Sequence, residues 1–389
     1  MRILHVIPQF HYFGGRTIVG GHASCLLTLA LAQHQAGHEV AILSYTAGCK
    51  ESMRIDGGPV IYSLFEQAKT RTFRYGLKFC QAAVKWIRTH GSEFDVIHSH
   101  SGHADYFLIS NRLKVASKLP TLHTMYCPIP PTGRTRLPIV HSSIRRWANR
   151  LNWIGGISEN VKSSMLAYGM HQAKFIRPAV DVERFMGDER DSARRDLGLA
   201  DDDLAVLFVG NATPQKNMAG VLDAVHKLRN EFPNIKLVVT TELKHSSSDE
   251  DMAKLAAQVN ELNLASCVVQ KGIVNNMPAL MQASDVLVAP FLDSYGPSDY
   301  FMAALEAMAA RRPVVVSNVG GMREIITSDV GALVDPHNHN SIADGIRMYL
   351  ADAGTRDRVG ANARAFIQQH FHPQTITDAY HDVYRRIAA

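Results

Sequence analysis

Short apolar runs recur along the chain, each closing on polar or glycine-rich residues, and most are too unbroken to be strands buried on one face only. The first, residues 2–8, leads into the loop HYFGGRTIVGGH and then into helical spacing over residues 23–35 that stops at Gly37. EVAILSY follows as a second strand, so the chain opens as strand, loop, helix, strand, the start of a parallel sheet. A helix over 75–90 closes at Gly91, and FDVIHSH, LPTLHTMY and WIGGISENV each read as a strand ending on polar residues. The rhythm restarts with LAVLFVG, the loop NATPQKN and a helix through Leu228. It runs on through IKLVVTT, a helix near 251–262, CVVQKG, a helix over 277–283, DVLVAP, RPVVVSN and GALVDP.

Valine and isoleucine runs without alternation indicate strands covered on both faces, hence doubly wound parallel sheets. Two such series predict two Rossmann-like α/β domains. The link falls near FIRPAVDVERF, where Pro178 interrupts the pattern and the acidic stretch GDERDSARRDLGLADDD follows. The expected domains are therefore 1–180 and 181–370, with a helical pattern over 373–387 in the terminal segment 371–389 packing back toward the first. In open α/β sheets ligands bind beyond the carboxyl ends of the strands, so two facing halves would line one central cleft with the polar loops.

Composition narrows the class. The chain has 389 residues, 46% hydrophobic and 20% charged, with no apolar run long enough to span a bilayer. MRILHVIPQF reads as a first strand and not as a signal peptide. The five cysteines are scattered without CxxC spacing, as expected of reduced thiols in a cytoplasmic protein. A net charge of +5 is too mild to argue for nucleic acid. Residues 133–153 nevertheless hold five arginines and no acid, interleaved with Ile, Leu and Trp. That stretch suits an anionic membrane face or an anionic substrate, and equally a solvated helix flank.

Candidate chemistry lies in the loops. The pairs Gly14-Gly15 and Gly20-Gly21 sit between a strand and a helix, where they would let backbone approach an anion or serve as a flexible connection. No GxGxxG is present, so a dinucleotide site has little support. Lys216 follows a strand at the mouth of a helix and suits a diphosphate, or is a plain surface lysine. His98, His100, His103 and His123 invite a metal hypothesis, but their spacing matches no zinc signature and no acid or cysteine completes a set. A strand-end histidine facing a cleft would instead donate hydrogen bonds to substrate. Ser158 lacks GxSxG context and reads as a helix cap. Pro297 and Ser298 suit a helix start, with Ser298 as N-cap and Asp299 in the first turn. Glu306 has no cation at helical spacing among its neighbours Ala303 to Ala310. Burying a lone carboxylate costs several kcal/mol, so Glu306 should face the cleft and bind hydroxyls.

Together these segments resemble glycosyltransferase family 4, retaining enzymes of the GT-B fold that use nucleotide sugars. The resemblance runs from the glycine pair through DVIHSH, LHTM, ISENV, PAVDVERF and VGNATPQKN to ASDVLVAPF and LEAMAARRPVVVSNVGGMREII. It implies a GT-B transferase moving a sugar from a UDP- or GDP-sugar to an acceptor hydroxyl, with no metal or other cofactor. It places Gly20 and Gly21 near the donor phosphates and pairs Lys216 with the diphosphate. It also assigns phosphate oxygens to the backbone of Phe301, Met302 and Ala303, the donor ribose to Glu306, and the base to Gly272, Ile273 and Val274. His100 would lie near the transferred sugar, with His22 and His123 on the acceptor side. The acceptor would be a sugar or a lipid-linked molecule, the latter at the inner face of the membrane through 133–153.

Two segments depart from the family. Asn211 stands where an arginine is common, and Ser298, Asp299, Tyr300 and Phe301 occupy the four positions of Glu-x-Phe-Gly. Asp299, one residue beyond the missing Glu, is the candidate substitute in the sugar site. Two other readings suit the same residues: a GT-B nucleotide-sugar epimerase working without acceptor, and a catalytically silent binding protein, motivated by Ser298 and Asn211.

Overall fold

A computed structural model describes residues 1–12, 18–46, 52–55, 57–66, 73–240, 249–272, 274–296 and 298–389. Gly14, Gly15, Cys49, Ile273 and Pro297 lie outside the described residues. The chain divides into two units. One comprises Met1–Ala179, Tyr295–Tyr300 and Pro373–Ala389, the other Val180–Ser294 and Phe301–His372.

In the first unit the strands run in the order Ala173–Phe175, Trp153–Gly156, Thr121–Met125, Val96–Ser101, Arg2–Gln9, Glu39–Thr46, Val60–Glu66, Met53–Arg54. All pairings are parallel except the last, an antiparallel edge. The central strands carry apolar residues on both faces. Ile3, Ile7, Val96 and Leu122 pack with the helices Gly21–Gln35 and Pro373–Ala388, while Leu4, Val6 and Ile97 pack on the other side in a cluster that includes Leu113 of helix Phe107–Ser117. The terminal helix belongs to this unit because Ile376, Tyr380, Val383 and Tyr384 are buried in its core. The glycine-rich loop is flanked by a small antiparallel pair, His11–Tyr12 with Ile18–Val19. Strand Val60–Glu66 has no counterpart in the sequence reading. Its side chains are mostly half-buried, so it lacks the unbroken apolar run that marks the central strands.

The second unit holds a six-stranded parallel sheet in the order Val268–Lys271, Ile235–Thr240, Leu204–Val209, Val286–Ala289, Val314–Ser317, Ala332–Val334. The acidic stretch that follows the expected link contributes a helix, Arg190–Leu197, to this unit. Arg190 forms a 2.7 Å ion pair with buried Asp285, and Arg194 caps carbonyls from Ala200 to Asp203. Its apolar content is too low for a helix to be seen by periodicity. Arginine pairing holds it where an apolar stripe normally would.

The helix expected to start from a Ser298 N-cap starts three residues later, with Phe301 as N-cap and Met302 as its first residue. The reason is that Tyr295–Tyr300 packs within the first unit. The Asp299 N–H donates to the Tyr126 carbonyl at 2.8 Å, and its carboxylate accepts from the Ser158 hydroxyl and from the Asn160 amide at 2.9 Å. A backbone committed to those partners cannot turn into a helix at the same place.

Candidate functional site

In the second unit the donor candidates gather at strand ends. Gly210 ends Leu204–Val209, and a Cβ there would stand 2.5 Å from Lys216 Cδ and 2.8 Å from its Nζ. Only glycine lets the lysine fold back over the strand. Lys216 Nζ lies 5.3 Å from the centre of the Phe291 ring, and Phe291 meets Phe301 at 4.3 Å. The lysine thus lies two rings from the amino end of helix Met302–Ala309. Asn217 fixes this loop in a way the sequence reading missed. It adopts a left-handed φ of 56°, and its amide donates to the carbonyls of Pro290 at 3.1 Å and Pro336 at 2.7 Å, tying three strand-end loops together. An asparagine straight after the lysine, a type that tolerates this conformation, was the available signal.

Helix Met302–Ala309 has no side-chain cap, since Phe301 brings no acceptor. Within it only Ala303 and Glu306 are less than fully buried, so the two share its one open face, at i and i+3. Glu306 is therefore not sealed in an apolar core. Asn211, at the position of a common family arginine, accepts from the Thr213 hydroxyl at 2.7 Å and adds no positive charge. Gly272 and Val274 flank Ile273 just beyond strand Val268–Lys271.

In the first unit, Gly20 precedes helix Gly21–Gln35 with a φ of 101°, which a side chain would resist, and His22 stands in the first turn. The half-buried His22 ring stacks on Tyr126 at 4.7 Å, and its Nε2 is 3.6 Å from Cys127 Sγ. Gly102 makes room for it, because a Cβ there would stand 2.5 Å from His22 Cε1. Ser158 caps helix Glu159–Ala167 by accepting the Val161 N–H at 3.0 Å while its own hydroxyl donates to Asp299. The buried hydroxyl of Ser298, next to Asp299 in the chain, has no hydrogen-bond partner among the described residues. Tyr300 is fully buried.

His100 and His123 are placed differently from the expectation that they face a ligand. His100 is 1% exposed, with Nδ1 3.1 Å from the Tyr126 hydroxyl and Nε2 2.9 Å from His5 Nδ1. His123 is buried on the opposite face of the sheet, its Nδ1 2.8 Å from the Ser99 and Ser110 hydroxyls and its Nε2 3.0 Å from Ser101. The cause is the period of two along parallel strands. His98, His100 and Thr124 project to one side, and Ser99, Ser101 and His123 to the other. Burial pushes the His123 imidazole down to about 3, so it stays neutral. Half-open near these strand ends are His22, in the first turn of helix Gly21–Gln35, and His103, just after strand Val96–Ser101. His5, Gln33 and Asn160 escaped the sequence reading, although a histidine inside the apolar run RILHVIP was a visible signal for the first.

Two doubly wound sheets with polar strand-end loops are the architecture of the GT-B fold. Residues 19–184 match the model of Glycosyltransferase Family 4 and residues 189–366 that of Glycosyl transferases group 1. The chain belongs to glycosyltransferase family 4. An uncharacterized glycosyltransferase of Methanocaldococcus jannaschii is 27% identical over 95% of each chain. A phosphatidyl-myo-inositol mannosyltransferase of Mycobacterium tuberculosis is 25% identical over 91% of this chain and 90% of its own. Among solved structures, Anabaena HepE in complex with UDP-glucose superposes with a TM-score of 0.77 at 18% identity, covering 99% of this chain and 100% of that one.

Proposed function

We propose that the protein is a retaining, metal-independent glycosyltransferase that takes a sugar from a nucleotide diphosphate sugar, UDP- or GDP-linked, and delivers it to an acceptor hydroxyl. The observation that carries this reading is the uncapped helix Met302–Ala309, whose open face presents Ala303 and Glu306 and whose amino end is linked through Phe301 and Phe291 to Lys216. Backbone N–H groups and an ammonium are what a departing diphosphate needs as its charge develops, and a carboxylate one turn along suits a ribose diol. The UDP-glucose bound in the Anabaena structure is in keeping with such a donor. Retention without a protein nucleophile is supported by Asp299, the acid nearest the missing family Glu, because its carboxylate is engaged by Ser158 and Asn160. The acceptor oxygen then attacks the face that the diphosphate leaves and passes its proton to a departing phosphate oxygen.

The acceptor side favours a lipid-linked molecule at an anionic membrane. Leu137 and Ile139 are 56% and 83% exposed, next to exposed Arg134, Arg145 and Arg146 on and before helix Pro138–Ala148. Among the described residues no helix is long and apolar enough to cross a membrane. Co-sedimentation with anionic but not zwitterionic vesicles supports this placement, and equal recovery with both removes it. For the reaction itself, UDP- and GDP-sugars are incubated with candidate acceptors, and the anomeric coupling of the product is read by NMR. A product of inverted configuration, or a new nucleotide sugar formed without acceptor, overturns the proposal.

A further inference from the structure

Between the first unit's sheet and its helices Gly21–Gln35 and Pro373–Ala388 lies an apolar layer containing three buried histidines, His5, His98 and His100. Every ring nitrogen of the three has a partner, and the partners form one unbroken path. The Tyr126 hydroxyl lies 3.1 Å from His100 Nδ1, His100 Nε2 is 2.9 Å from His5 Nδ1, and His5 Nε2 is 2.7 Å from Gln33 Oε1. Gln33 Nε2 donates to the Tyr384 hydroxyl at 3.0 Å, which is 2.7 Å from His98 Nδ1. His98 Nε2 is 2.8 Å from the Thr124 hydroxyl, itself 3.1 Å from that of Tyr380.

A neutral imidazole has one donor and one acceptor nitrogen, and a hydroxyl can do either, so each of these groups passes on whatever sense its neighbour imposes. Gln33 alone has two ends of fixed and opposite kind. Its Oε1 can only accept, so His5 carries its hydrogen on Nε2 and accepts on Nδ1. His100 must then donate from Nε2 and accept on Nδ1, which makes the Tyr126 hydroxyl a donor. On the other side Gln33 Nε2 donates to Tyr384, so the Tyr384 hydrogen goes to His98 Nδ1 and His98 donates from Nε2 to Thr124. One amide therefore determines three tautomers.

We infer that Gln33 sets the sense of this chain, holding His5, His98 and His100 as Nε2–H tautomers, and so acts as a positioning residue for the Tyr126–His22 wall of the first unit's strand-end site. Tyr126 is where the chain meets that site. Its hydroxyl is turned inward onto His100, its ring carries His22, and its carbonyl receives the Asp299 N–H. A proton added to any of the three rings would set two donors against each other. Burial favours the neutral form in each, lowering His5 to about 4 and the other two well below the usual value. The three rings offer nitrogens within 4.8 Å of one another, close enough for a metal ion. A divalent cation there would have to break the path at several points and stay in an apolar layer without an anionic ligand.

The test is nitrogen NMR of the imidazoles in the full chain. Expected are three rings protonated on Nε2 and bare on Nδ1, unchanged between pH 8 and about 5.5 as the lowered pKa values require. Gln33→Met, which keeps the volume and removes both hydrogen bonds, should release His5, His98 and His100 into mixed tautomers. It should also lower kcat/KM for transfer about five- to tenfold, with nucleotide affinity unchanged, the size of one lost neutral hydrogen bond. Tyr384→Phe cuts the other branch and should release His98 alone. If Gln33→Met does not fold, Tyr384→Phe decides. His98 freed with the other two held supports the chain, and three unchanged rings overturn it. A wild-type His5 or His100 protonated on Nδ1, or Zn²⁺ alone shifting all three rings in the folded protein, also overturns it. The kinetic readout rests on the transferase reading and the tautomers do not, so the two can fail separately.

Discussion

The two units use polar groups in opposite ways. The second presents Lys216, a helix end without a side-chain cap and Glu306 on a half-open face. The first buries His5, His98, His100 and His123 and satisfies their ring nitrogens internally. The difference teaches that a histidine-rich strand end is not in itself a ligand site. What separates the two regions is burial: the first unit's imidazoles are sealed in its core, whereas Lys216 and Glu306 are only half-buried.

The comparison is broken most directly at the lysine. Lys216→Ala removes one charged donor from the proposed leaving-group site and should lower kcat by about 100- to 1000-fold, the usual loss for one such donor. The melting temperature should hardly change. Steady-state kinetics beside a thermal melt checks both, and an active variant would place Lys216 outside the chemistry.

The opposite test is acid, which should act on the first unit's histidines. The folded chain keeps His5 neutral down to about pH 4, whereas the unfolded chain protonates it near the ordinary imidazole value. Unfolding therefore takes up protons in that window, and stability falls as the pH drops through it. His5 alone accounts for about 3 kcal/mol once the pH is below its folded value, and His98, His100 and His123 act in the same direction. Urea unfolding at pH 7 and pH 5 measures the loss. Equal stability at both would mean that the rings are not held neutral.

Glu306→Ala should weaken nucleotide diphosphate binding by roughly 10- to 100-fold, the value of hydrogen bonds to a charged group, without destabilising a helix on which the residue is only half-buried. Isothermal titration decides, and unchanged affinity removes the ribose assignment. The smallest effect belongs to Asp299→Asn. An amide presents a donor where Ser158 and Asn160 both donate, so about 1–2 kcal/mol of stability should be lost together with turnover. Lost turnover at full stability would instead mean that Asp299 itself grips the sugar.

Much of this was legible in advance. The buried strands of both sheets announced themselves as unbroken Val and Ile runs, and the loop bearing Lys216 and the acid at Glu306 stood out because each broke a local pattern. Helix Arg190–Leu197 was hidden because arginine pairing with Asp285, and no apolar stripe, holds it in place. The start of helix Met302–Ala309 was misplaced for a related reason. Ser298 and Asp299 have the residue types of a helix start, but their partners lie in segments around Tyr126 and Ser158, remote in sequence.

By itself, the sequence determined the two α/β units, their strand ends and the residue types available at the second unit's site, because periodicity and local propensity are properties of neighbours in the chain. Only the tertiary structure decided which polar groups meet one another. It joined His5 to His100 across parallel strands and Gln33 to the terminal helix through Tyr384, and it closed Asp299 onto Ser158. A hydrogen bond depends on distance and direction in space, and those become defined only when segments far apart in the chain are packed together.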